Sequence, residues 1–174
     1  FNFCGKDDAR HVGVELEDGM KIHNLYIPAG GDLPDPKTNP KFEHKINFLT
    51  EIKDKFFKGE KKKTVILGDF NIAPLPDDVW SHKALLNVVS HTKIETDLLS
   101  DIKKSGKWID TFREIKPSGK LYSWWSYRAR DWKISNRGRR LDHIWASQDL
   151  KSKLSKVQIF SEARGWERPS DHVP

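Results

Sequence analysis

The sequence predicts one packed α/β or α+β domain, and two observations carry that expectation. Segments alternating apolar and polar residues, the pattern of a half-buried strand, are interleaved with segments whose apolar residues recur at helical spacing. The 174 residues also carry seven Trp and nine Phe, long and aromatic enough for a real core, although hydrophobic residues make up only 36%. With 32% charged residues the surface must be heavily ionic.

The elements follow in order. Val12–Glu17 alternates, Asp18-Gly19 supplies a hairpin-type turn, and Lys21–Ile27 is the return strand. The run P-A-G-G-D-L-P-D-P-K-T-N-P is too rich in Pro and Gly for anything but a loop. From Phe42 to Phe57 the apolar residues fall mostly at helical spacing, predicting an amphipathic helix. Thr64–Leu67 reads as a buried strand emptying into G-D-F-N and a proline-rich loop. Residues 78 to 115 read as helix in pieces, most clearly over 92–105. Leu121–Tyr127 and Leu141–Ala146 read as strands joined by the basic segment R-A-R-D-W-K-I-S-N-R-G-R-R. A short helix over Leu150–Leu154 and a strand over Val157–Phe160 complete the pass. There is no internal repeat, linker or low-complexity tract, so the expectation is a single domain or a piece of one.

The net charge of +6 and pI of about 9.3 suit a polyanionic partner such as nucleic acid, or serve solubility alone. One cysteine, Cys4, excludes an internal disulfide. The opening F-N-F-C-G-K-D-D is not a signal peptide, and no apolar run approaches membrane-spanning length. The expected location is the cytoplasm, with no membrane partner.

Four stretches hold residues suited to chemistry. In L-G-D-F-N, Asp69 and Asn71 are two apart, so at an extended strand end they share a side and can hold a water or a metal-bound oxygen; an ordinary Asp/Asn turn is the plain alternative. In R-G-R-R-L-D-H-I-W-A-S, Asp142 shares one strand face with Ile144, while Leu141, His143 and Trp145 share the other. An acid in so apolar a strand needs a partner: Arg139 or Arg140 as a structural ion pair, or a histidine whose tautomer it fixes. The pair Asp171-His172 in P-S-D-H-V-P is a third candidate, or a solvated tail, and Tyr26 adds a phenol at another strand end. Lastly, Lys120, Arg128, Arg130, Lys133, Arg137, Arg139 and Arg140 interleave with Trp124, Trp125, Tyr127 and Trp132. Cations beside flat rings suit phosphates and unpaired sites, unless the rings are core and the arginines merely solvated. His44 and His91 fall in no metal-ligand spacing, and no Gly-rich nucleotide loop precedes a helix.

The order of these stretches resembles the exonuclease III family of bacterial abasic-site endonucleases, in the endonuclease/exonuclease/phosphatase superfamily. A Tyr-Ile-Pro strand end is followed by G-D-F-N, S-W-W-S-Y-R, N-R-G-R-R-L-D-H-I-W-A-S and P-S-D-H, from about Arg10 to Pro174. The resemblance implies a four-layer α/β sandwich of two mixed β-sheets flanked by helices. It implies catalytic roles for Tyr26, Asp69, Asn71, Asp142 and His172: Asp69 orienting or deprotonating water, Asn71 holding phosphate or nucleophile, Tyr26 touching the phosphate, and Asp142 paired with His172. Asp171, Asp69 and Asn71 would belong to a Mg²⁺ or Mn²⁺ site. Trp124 would line the pocket for a base-less sugar, with Tyr127, Arg128, Arg130, Arg137 and Arg139 along the DNA. The implied reaction is hydrolysis of the phosphodiester 5′ to an abasic site, with 3′→5′ exonuclease and 3′-end cleaning on duplex DNA, by a monomer.

The chain also departs from the family pattern. The opening strand with its asparagine, and the following motif with a metal-ligand glutamate (Q-E-T or Q-E-I-K), do not occur. After Tyr26-Ile-Pro the next residue is Ala29, where some relatives carry a polar DNA contact. The expectation is therefore a fragment of the domain, lacking its N-terminal strands and last strand, which leaves two alternatives: a DNA-binding fragment without catalysis, or a superfamily phosphatase or phosphodiesterase.

Overall fold

A computed structural model describes residues 2–56 and 61–174. The hairpin is formed as expected: β1 (His11–Glu15) pairs antiparallel with β2 (Lys21–Tyr26) around Asp18 and Gly19. The Pro/Gly loop leads into α1 (Pro40–Glu51), where the Asn39 side chain accepts from the Lys41 amide and Pro40 occupies the first turn. A π-helical turn over Ile52–Phe56 continues it, and Phe57, the last residue of the expected helix, lies outside the described residues. The chain then returns as β3 (Thr64–Asp69), parallel to β2. This is a strand–helix–strand unit, because parallel neighbours need a crossover.

Short helical pieces follow: α2 (His82–Leu85), α3 (Lys93–Ser105) and α4 (Thr111–Ile115), with the two-residue β4 (Ile109–Asp110) between the last two. At the start of α3, Thr92 and Glu95 satisfy each other's backbone in a capping box. The basic segment makes one helical turn, α5 (Trp132–Ser135), before β5 (Asp142–Ala146). The result is a mixed five-stranded sheet in the order β1-β2-β3-β5-β4, flanked by helices.

One face of this sheet is the core. Leu25, Ile66 and Trp145 meet Phe48, Leu49 and Ile52 of α1 and its extension, and Leu99 and Ile102 of α3. On β1, by contrast, Val12 and Val14 are more than half exposed. At Gly68 (φ +130°) the strands come so close that an added Cβ would overlap the Leu25 carbonyl oxygen.

Two expected strands are not strands. In Leu121–Tyr127 the isolated bridges fall at Trp124, which bridges Arg139 on one side and His172 on the other, while Arg139 also bridges Val79. These bridges form a rudimentary second layer, one residue deep. The backbone around Ser123 has partners in Arg139, Asp171 and Val173, but each is an irregular segment too short to build a ladder. Val157–Phe160 also stays irregular; the Phe160 amide donates to the Pro174 carbonyl, and no strand lies alongside among the described residues. The short helix is a 3₁₀ helix over Gln148–Lys153. No helix among the described residues is long and apolar enough to cross a membrane.

Candidate active site

Strand register sets the site. Tyr26 is paired with Asp69, and Asp69 with Asp142. Directly paired residues project from the same sheet face, so a phenol and two carboxylates stand in one row across β2, β3 and β5. The chain leaves β3 through Asn71, which adopts a left-handed backbone (φ 53°). That turn brings the Asn71 amide N–H to Asp69 Oδ1 at 2.8 Å and its side-chain Nδ2 to Asp69 Oδ2 at 3.0 Å and the Ile27 carbonyl at 2.9 Å. Asp69 and Asn71 thus meet through a turn, not through strand alternation.

His172 completes the row. Its Nδ1 lies 2.8 Å from Asp142 Oδ2, and its Nε2 3.9 Å from Asp69 Oδ2. The tail reading of P-S-D-H-V-P fails because this segment is tied down: the Trp125 amide donates to the Asp171 carbonyl, and the Val173 amide to that of Ser123. Nor is Asp142 paired with an arginine. Arg140 is buried and grips Asp78 and Asp110, while Arg139 bonds the Val89 carbonyl and Ser90 Oγ.

Burial, then the charge of Asp142, pushes the Asp69 carboxyl up to about 6. For His172, burial pulls down, but the bond to Asp142 and the charges of Asp142, Asp69 and Asp171 outweigh it, so its pKa is raised. The raised pKa of His172 favours the imidazolium, whose charge offsets part of the rise at Asp69.

Ligand atoms of Asp69, Asp142 and His172 lie within 4.8 Å of one another, a donor set that fits a divalent cation. Of the residues expected at a metal, Asp69 is in this group. Asp171 Oδ2 instead accepts from the Trp124 indole N–H at 2.9 Å, and the Asn71 amide is engaged by Asp69 and Ile27.

Tyr26 is half exposed, with the Arg10 guanidinium 5.0 Å above its ring. The expected DNA-facing residues divide. Arg128, Arg137 and Arg139 line a cavity of about 680 Å³ together with Trp124 and Asn71. Arg130 and Tyr127 are exposed outside it, and the Tyr127 hydroxyl donates to the Pro169 carbonyl. Lys120, though exposed, donates to the Pro76 and Val79 carbonyls, so with Arg140 it leaves the set of free cations.

Sequence reading missed Lys45. Fully buried on α1, its ammonium bonds Glu95 at 2.5 Å, the Asn71 carbonyl at 2.8 Å and the Ala29 carbonyl at 3.2 Å. It thus clamps the left-handed turn that presents Asn71. A signal existed: Lys45 sits between Phe42 and Phe48 and Leu49, inside the helix's apolar stripe. Trp80, also in the cavity wall with Arg137 stacked at 4.8 Å, was likewise passed over.

Exodeoxyribonuclease III of Haemophilus influenzae is 29% identical over 174 aligned residues, covering 92% of this chain and 62% of that protein. An exodeoxyribonuclease of Bacillus subtilis is 33% identical over 118 residues, covering 66% and 44%. Among solved structures, an AP endonuclease from Archaeoglobus fulgidus superposes with a TM-score of 0.87 at 26% identity, over 99% of this chain and 66% of that one. A 3′ phosphatase, NExo, from Neisseria, bound to a product DNA hairpin, gives 0.82 at 27%, over 96% and 64%. The chain therefore spans less than two thirds of the length of these relatives. Residues 38–172, which include Asp69, Asn71, Asp142 and His172, match the Endonuclease/Exonuclease/phosphatase family, and the chain belongs to it.

Proposed function

We propose that the chain carries the phosphodiester-cleaving site of a metal-dependent DNA repair nuclease, a cytoplasmic monomer acting on duplex DNA 5′ to abasic sites, with 3′→5′ exonuclease and 3′-end-cleaning activity. The observation that supports this most is the line Asp142–His172–Asp69 beside a cavity walled by indoles and arginines.

Asp142 fixes His172 with its proton on Nδ1, leaving Nε2 turned toward Asp69. The imidazolium stabilises negative charge as it grows on a phosphoryl oxygen. Asp69, with a pKa near 6, is matched to taking a proton from the attacking water at neutral pH, and Asn71 holds that carboxylate in place. The water oxygen bonds to phosphorus as the bond from phosphorus to the 3′ oxygen breaks, leaving a 3′ hydroxyl and a 5′ phosphate on the base-less sugar. The Tyr26 hydroxyl donates to the phosphate. Asp69 would anchor Mg²⁺ or Mn²⁺ with its acidic neighbour Asp142, and such an ion, when bound, would neutralise phosphate charge. An abasic nucleotide flips at low cost because it has little stacking to lose.

The test is a duplex carrying one tetrahydrofuran abasic analogue, incubated with the chain in Mg²⁺ and then in EDTA. Nicking that requires the metal supports the proposal. A gel shift without nicking in either buffer supports the reading as a DNA-binding fragment. Failure to bind DNA even at low salt removes nucleic acid as the substrate and leaves a small phosphate ester.

A further inference from the structure

Three consecutive carbonyls follow Asp69 and Phe70, and each is held by a side chain from a different part of the fold. The Lys45 ammonium on α1 donates to the Asn71 carbonyl at 2.8 Å, and His143 Nε2 on β5 to that of Ile72 at 2.8 Å. His91 Nδ1, just before α3, donates to that of Ala73 at 2.5 Å. All three donors are buried, as are Ile72 and Ala73, so these backbone groups need partners from within the protein.

His91 closes this arrangement from outside the catalytic row. The Ala73 amide donates to the Ser90 carbonyl at 2.7 Å, so both polar groups of Ala73 are taken by consecutive residues. The Ser90 amide in turn donates to both carboxylate oxygens of Glu95, the acid that grips Lys45. A closed circuit of bonds therefore runs from Asn71 through Lys45, Glu95 and Ser90 back to Ala73. Asn71 (φ 53°) and Ser90 (φ 87°) both hold left-handed backbone, a costly state that lasts only where the surroundings fix it. Burial, ahead of the neighbouring His82, keeps the His91 imidazole below its ordinary pKa, so the neutral ring carries a single N–H. The Ala73 carbonyl can only accept, which puts that proton on Nδ1. Nε2 is then an acceptor, and the exposed His82 fills it from its own Nδ1 at 2.8 Å.

We propose that His91, its tautomer fixed by His82, is a positioning residue: by holding the Ala73 carbonyl it sets the turn at which Asn71 meets Asp69. The assignment rests on the nuclease reading above and adds to it a histidine pair that acts through the loop, without touching the catalytic row. A histidine that merely filled the core would serve equally well whichever nitrogen carried the proton. A positioning residue must donate from Nδ1.

Two amide substitutions separate these roles. In His91→Asn the amide nitrogen stands where Nδ1 stood and can still donate to Ala73, whereas in His91→Gln it reaches toward His82 instead. His91→Gln should lower single-turnover nicking of a tetrahydrofuran duplex in Mg²⁺ by about ten- to a hundredfold and leave its affinity in EDTA within about twofold. His91→Asn should recover most of that rate. The Asn71 side-chain amide signals should move in His91→Gln and return in His91→Asn, and nitrogen shifts of the intact chain should show His91 in its Nδ1–H form near neutral pH. An Nε2–H form, or equal losses in the two variants, would make His91 a core residue and overturn the assignment. If His91→Gln does not fold, His82→Phe keeps the ring contact at an exposed position and removes the donor. The Nε2–H form should then appear at His91, and unchanged His91 and Asn71 signals would overturn the proposal. If the intact chain nicks nothing, the nuclease reading falls, while the Asn71 signals still decide whether His91 holds the turn.

Discussion

His172 Nδ1 and Asp142 Oδ2 meet at 2.8 Å, joining the one-residue-deep second layer to the start of β5 in the five-stranded sheet. The contact sets both the tautomer and the charge of the imidazole. Asp142→Asn should therefore cut metal-dependent nicking by about 10²- to 10⁴-fold, while affinity for an abasic duplex stays within about twofold. Single-turnover nicking and anisotropy separate the two, and loss of the downfield Nδ1–H proton signal reports the broken bond directly.

Lys45 and Glu95 are both fully buried, so removing one partner strands the other. Lys45→Met should destabilise the fold by about 3–5 kcal/mol, seen as a lower urea midpoint. Glu95→Gln added to it should recover part of the loss. Because Lys45 also holds the Asn71 carbonyl, the single variant should shift the Asn71 side-chain amide signals even at temperatures where the chain stays folded.

His143 makes stability depend on pH. Its Nε2–H donates to the Ile72 carbonyl, its ring stacks on Phe70, and its Nδ1 is buried without a partner. Burial first, and the nearby Arg140 charge second, push its pKa from 6.5 down to about 4. The unfolded chain takes a proton near pH 6.5 while the folded chain refuses one until about 4. This group's contribution is therefore complete above pH 6.5 and is lost as pH falls through that window, by up to about 3 kcal/mol. Urea midpoints between pH 7.5 and 4.5 should drop less steeply in His143→Gln than in the parent chain.

Arg128 and Arg130 are exposed and bonded to no acid among the described residues. If they neutralise phosphates, each change to Ala should reduce the slope of log affinity against log salt by about 0.9, equally for intact and abasic duplexes. Titrations between low and moderate salt read this slope.

Much of this was legible in the residues. The hairpin, α1, α3, β3 and β5 each follow from a period and its punctuation, and Asp69, Asn71 and Asp142 stand out as polar groups at a strand end or in an apolar strand, whereas Asp171-His172 read equally as a solvated tail. What periodicity could not supply was pairing. Leu121–Tyr127 has strand composition, yet without a long partner it makes single bridges. Arg139 and Arg140 are adjacent and alike in sequence, yet they face opposite ways, one into the cavity wall and one onto Asp78 and Asp110. Lys45 was hidden because a lysine among apolar neighbours reads as a surface interruption until its acid, fifty residues on, is seen against it.

The approach of the Leu25 carbonyl to Gly68 means that G-D-F-N is two constraints written as one word. Gly68 and Phe70 answer to geometry, one leaving space between strands and the other filling the core. On the proposed function, Asp69 and Asn71 answer to the phosphate. A saturation library across these four positions should thus fail in two distinguishable ways: cells lose the protein when the first pair changes, and lose only its chemistry when the second does. A tolerance map that recorded activity alone would score all four alike and hide which letters carry the reaction.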